Sequence, residues 1–187
     1  MITGTLVVVA LTVLQVEGDS SGRWHTVTNA PCGLVIQVPA GWGVQRVTQD
    51  SPADAECSVG LRPAGWLAAA QGSRYDIGDF AIHIDVFSQS LDGACDAIIV
   101  CRDSNGWYFL GRAGTRTDGS EVRRGTARLI RGTVETGSYL KGGGYTGSAE
   151  GDIAVLSEGK RLLRFLAAWQ FDNRAVFDEI VRRASFK

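Results

Sequence analysis

Hydrophobic and polar positions alternate most regularly over residues 80–87. Phe80, Ile82, Ile84 and Val86 point one way, and Ala81, His83, Asp85 and Phe87 the other. A period of two predicts a strand. The rhythm returns near the carboxyl end, where residues 152–156 form a short apolar strand and 157–160 a turn, with Gly159 free to take a positive φ. Residues 161–171 then place Leu163, Phe165, Ala167, Trp169 and Phe171 on one face. A helix over 161–170 stays open, because Leu162, Leu163, Leu166 and Trp169 also fit a 3.6-residue period. On the strand reading, Trp169 lies mid-strand on an apolar face and should be costly to truncate.

Asp172 or Asn173 can cap the next element. With Asp172 as the cap, Phe171 and Val176 would take the positions of a hydrophobic staple. Val176, Phe177, Ile180, Val181 and Ala184 then make one helical stripe. Asp178 and Glu179 come early and Arg182 and Arg183 late, as the helix dipole prefers. A second helix is expected from Ser90, with Leu91, Ala94, Cys95, Ile98 and Ile99 as its stripe, ending at residues 104–106. Shorter strands are expected at 24–28, 33–38, 44–47, 56–61, 107–110 and 126–136, with a further strand from Tyr145. Residues 48–55 read as loop, 67–75 as short helix or loop, and 111–125 as an exposed Gly- and Arg-rich loop or hairpin tip. Strands, helix, strands, helix is the order of a mixed or antiparallel sheet with helices packed on it. Pro-Ala-Gly-Trp occurs at 39–42 and again at 63–66, too little for a repeat architecture.

The first eighteen residues stand apart. Residues 6–14 are an apolar run of signal-peptide length, with no Lys or Arg before it. We expect residues 1–18 to be a cleaved signal, 19–23 a linker and 24–187 a single domain; the alternative is that the run forms an extra strand. A net charge of −1 gives no overall pull toward nucleic acid or an anionic membrane, and no membrane span is expected after cleavage. Four cysteines, Cys32, Cys57, Cys95 and Cys101, allow two disulfides in an exported protein; four buried thiols are the alternative. A Cys95–Cys101 bridge needs an irregular turn. Six residues span about 9 Å in a helix and about 20 Å in a strand, whereas a disulfide tolerates at most about 7 Å between Cα atoms. Their spacing does not suit zinc.

Residues 38–42, Val-Pro-Ala-Gly-Trp after an apolar strand, resemble the strand–Pro-x-Gly-Trp element of the Mog1/PsbP fold. The strand at 80–87 followed by a helix at Ser90, and the ending with residues 177–180 and Ala184-Ser-Phe186, resemble its later elements. The likeness spans about residues 24 to 187. It implies an α/β (α+β) fold, an α/β/α sandwich with a central antiparallel sheet. Members include photosystem extrinsic subunits, a nuclear-transport GTPase cofactor and DcrB-related bacterial periplasmic proteins. The implied role is non-enzymatic binding or assembly, and no catalytic residue carries over. The second Pro-Ala-Gly-Trp and the four cysteines have no place in the family pattern.

Candidate chemistry is sparse. Residues 18–22, Gly-Asp-Ser-Ser-Gly, have the letters of a nucleophile elbow at Ser20 but read better as a linker beyond a cleavage site. Gly142, Gly144 and Gly147 satisfy a dinucleotide spacing, yet a strand follows where a helix is required. His83 and Asp85 project from one strand face and could share a proton or a divalent cation. Divalent-metal binding by some members of the family adds to that reading. The bland one is a polar pair on the solvated face of a half-buried strand. Arg123, Arg124 and Arg128, with Arg112, Arg116 and Arg131 nearby, could receive an acidic partner. Trp66, if exposed, would mark a contact surface. The sequence therefore points to an exported, secreted or periplasmic, binding or accessory protein with a protein partner, no nucleic acid and no resident cofactor. The alternative is a small hydrolase or metal-dependent enzyme built on His83 and Asp85.

Overall fold

The computed structural model describes residues 15–18, 23–29, 32–47, 55–66, 80–93, 95, 99–111, 114–139, 145–168 and 171–186. A small sheet contains β1 (Gln15–Gly18), β2 (Trp24–Asn29), β3 (Leu34–Pro39) and β13 (Ser185–Phe186), in that order. A nine-stranded sheet contains β4 (Gly43–Val47), β5 (Cys57–Arg62), β6 (Ile82–Phe87), β7 (Val100–Asp103), β8 (Gly106–Leu110), β9 (Arg116–Arg124), β10 (Ala127–Tyr139), β11 (Tyr145–Glu158) and β12 (Arg161–Ala167). Its order is β4-β5-β6-β12-β11-β10-β9-β8-β7. Every pairing among the described residues is antiparallel. The helix α1 (Arg174–Arg183) follows β12.

Both faces of the central strands are covered, which is why β6 is buried at every position. Ile82, Ile84 and Val86 join Val59, Leu61 and Phe165 beneath Leu34, Ile36 and Val38 of β3 and Phe177, Ile180 and Val181 of α1. On the opposite face Phe87, Leu162, Leu166, Ile153, Val155 and Ile130 pack with Leu91, Val100, Trp107 and Phe109. The far end of the large sheet curls back to supply this second cover. Gly132 permits the curl, since a Cβ there would stand 2.6 Å from the Phe109 ring. The outcome is mostly β, with a small sheet and α1 on one face and the sheet's own curled end on the other. It is an α+β arrangement rather than helices sandwiching a sheet.

Several expectations are corrected. The helix from Ser90 does not run to residue 103: Leu91–Gly93 is a 3-10 turn, and Val100–Asp103 is β7. The Cys95–Cys101 bridge, with Cα atoms 4.4 Å apart, is incompatible with a continuous helix across those residues, and Ile99 turns the chain at φ 60. Most of the expected loop at 111–125 is β9, paired with β8 on one side and β10 on the other. The strand expected to reach Phe171 ends at Ala167, and Trp169 lies outside the described residues. Strand β12 is buried on both faces because Leu162 and Leu166 meet one core while Leu163 and Phe165 meet the other. The helix cap is Asn173, whose Oδ1 accepts from Val176 N at 3.2 Å. The staple conditional on Asp172 therefore does not arise. Residues 1–14, 19–22, most of 48–55, 67–75 and the turn at 140–144 lie outside the described residues. Gln15–Gly18 pairs with residues 25–28 of β2, so cleavage after Gly18 would remove β1.

Candidate functional site

Strands β5, β6 and β12 bring Ser58, Asp85 and Arg164 into one cross-strand row. The Ser58 hydroxyl donates to Asp85 Oδ1 at 2.5 Å. Arg164 donates to Oδ2 from Nε at 3.1 Å and from Nη2 at 2.7 Å. His83 Nε2 lies 3.2 Å from Oδ1, in a direction that leaves the nitrogen without a well-formed hydrogen bond. The Phe80 ring stands edge-on to His83 at 6.1 Å, and Arg164 lies over Phe87 at 5.4 Å. His83 and Asp85 are 8% and 1% exposed, so the face expected to be solvated is closed. The cause is the second core, which covers this side of β6. Burial pushes the Asp85 carboxyl up. The contact with His83, the Arg164 guanidinium and the Ser58 hydroxyl outweigh it and hold the group well below the usual carboxylate range. Of these contacts the Arg164 pair has the better geometry. The carboxylate is central here, whereas a nucleophile relay places the imidazole between hydroxyl and carboxylate. Among the described residues no three His, Cys, Asp or Glu side chains are grouped to hold a metal ion.

The basic residues do not form one patch. Arg128 and Arg123 are cross-strand partners on the face shared with Asp85. Arg128 binds Glu121 at 2.8 and 3.1 Å, and the exposed Arg123 approaches the same carboxylate at 4.0 Å. The Trp107 indole donates to Glu121 at 2.8 Å, with Arg102 and Arg128 each lying over its ring. The Arg128 bond, assisted by Trp107, pulls the Glu121 carboxyl down to about 2 against the opposing effect of desolvation. Arg124 points to the other face, where it donates to the Val181 and Arg182 carbonyls of α1 at 3.2 Å each.

Trp66 is half-buried, its ring 6.2 Å from Phe171, which Trp42 meets at 5.7 Å. The two Pro-Ala-Gly-Trp copies form matching turns. Trp42 N donates to Pro39 O at 3.2 Å, Trp66 N donates to Pro63 O at 3.1 Å, and Gly41 and Gly65 have φ of 82° and 76°. One turn precedes β4 and the other follows β5, so the pair brackets the open end of that hairpin. The cysteines pair as Cys32–Cys57 and Cys95–Cys101, and none is free. Sequence reasoning missed Ser58 and Arg164. Their signal was a polar residue inside an otherwise apolar strand.

No family model matches the chain, and no curated protein matches it. Among solved structures it is similar to the solution structure of cyanobacterial PsbP (CyanoP) from Synechocystis sp. PCC 6803. That match is 15% identical, covers 98% of each chain and has a TM-score of 0.44. PsbP is the name that the sequence motifs also suggested; a likeness of this depth decides neither family nor function.

Proposed function

We propose that this chain is an exported binding or accessory protein that acts by holding a protein partner. The observation that carries the reading is the state of its polar chemistry. Both oxygens of Asp85 are engaged by neighbours and the carboxylate is buried, so the strongest candidate for catalysis is committed to the fold. Among the described residues the rim carries guanidiniums such as Arg123 and half-buried aromatic rings such as Trp66, groups suited to recognition. Export is supported by the two disulfides, which persist in oxidising compartments. Among the described residues no helix is long and apolar enough to cross a membrane.

The test is fractionation of the native host with intact-mass analysis and affinity capture. Export predicts an extracytoplasmic protein with both disulfides formed, lacking its leader, and a specific protein recovered with it. A cytoplasmic protein with reduced cysteines would overturn the reading. So would hydrolytic or metal-dependent turnover that is lost in Asp85→Asn while the fold is kept.

A further inference from the structure

The carboxyl end of α1 meets the outward face of β9 at Arg124, which among the described residues has no carboxylate of its own. Around it Arg131 is held by Asp178 at 3.0 Å, Arg174 by Asp152 at 3.6 Å, and Arg182 and Arg183 share Glu179. Among the described residues Arg124 bonds through Nη1 alone, to the Val181 and Arg182 carbonyls. The helix end lends partial negative charge there. Burial first, then the neighbouring charges of Arg131 and Arg182, push the Arg124 guanidinium down from its ordinary value. Nε of Arg131 is buried with no hydrogen-bond partner. Two residues before Arg124 on the same face, Val122 is 49% exposed, the one large hydrophobic so exposed among the described residues.

We propose that Arg124 and Val122 form a docking site for an acidic segment of a protein partner, with a carboxylate on Arg124 and an aliphatic side chain on Val122. This rests on the reading of the chain as a binding protein and gives the partner its chemistry. A planar guanidinium with Nε and Nη2 unused suits a carboxylate. The adjacent apolar contact is one that a free phosphate cannot use. A nucleic acid would need a row of unmatched cations and open rings. Here the other arginines of this face are paired, and Tyr108 is already stacked by Arg116 at 3.8 Å.

The test is fluorescence anisotropy of the full chain with a labelled peptide of alternating Leu and Glu, beside its Gln counterpart. The Glu peptide should bind, more weakly as salt rises, and the Gln peptide should not. Val122→Glu places a carboxylate on the site from within and leaves the helix bonds of Arg124 intact. It should weaken binding about tenfold or more at an unchanged melting temperature, and Arg124→Gln should weaken binding similarly. Four results would overturn the site: no binding of the Glu peptide, equal binding of the Gln peptide, undiminished binding by both variants, or equal preference for inorganic phosphate or phosphatidylglycerol vesicles. If the wild-type chain still captures a partner after any of these, the site is lost and the binding role stands.

Discussion

Across the large sheet, one row runs from Ser58 through Asp85, Arg164, Val155 and Ile130 to Glu121. It holds a carboxylate–guanidinium cluster at each end. At the inner end Asp85 is 1% exposed and bonds Arg164 under a closed core. At the outer end Glu121 bonds Arg128 and Trp107 beside the exposed Arg123. Each pairs a carboxylate with a guanidinium, and the surroundings differ. Inside, two desolvated charges satisfy each other, and removing either strands its partner. Outside, water and salt compete with every contact, so the pair contributes little to stability. The first cluster therefore belongs to the fold, and chemistry available to a partner must be sought at the rim.

The largest effect should follow from breaking the inner cluster on one side only. Arg164→Met leaves Asp85 buried without its guanidinium and should cost about 3–5 kcal/mol in urea unfolding at neutral pH. Adding Asp85→Val should recover much of that loss, because the stranded charge goes too. A single variant within about 0.5 kcal/mol of wild type, the range of a surface change, would mean that water reaches the pair.

Acid separates the two ends next. The folded-state pKa of Asp85 is depressed, so the stability it contributes is complete above its unfolded value. That contribution fades as pH falls below about 4. Glu121, held at about 2, adds a smaller loss with the same sign between about pH 4 and 2. High salt should remove the Glu121 part and spare most of the Asp85 part. An acid transition that salt abolishes entirely, measured by denaturant titration from pH 7 to 2, would refute the distinction.

The smallest effect belongs to the outer cluster. Glu121→Gln should change stability by about 1 kcal/mol or less and should move Trp107 fluorescence, since the indole loses its charged acceptor. A loss comparable to that of Arg164→Met would place both clusters in the core.

The strands were more legible than the layers. Alternation located β6, and the turn at Gly159, with φ of 62°, was readable from its residues. Periodicity could not show that both faces of β6 are covered, because the second cover comes from Val100, Trp107 and Phe109 of other strands, placed there by the tertiary fold. That is why His83 and Asp85 looked solvated. Residues 90–103 carry a helical stripe, but a covalent bond from Cys95 to Cys101 overrides propensity there. The density of arginines was plain, and its meaning was not. Whether Arg123, Arg124 and Arg128 act together depends on strand parity in β9 and β10, which sends Arg124 to the opposite face. Ser58 and Arg164 were each visible as a polar residue in an apolar strand. Only register made them partners of Asp85.

The buried polar cluster holds the fold, and the rim near Arg124 is proposed to hold a partner. The most direct test is quantitative capture from the native extracytoplasmic fraction, with wild type and Val122→Glu as baits at matched melting temperature. The wild-type chain should recover a specific protein, and Val122→Glu should recover far less of it. Equal recovery from both baits, or no specific protein from either, would contradict that proposal.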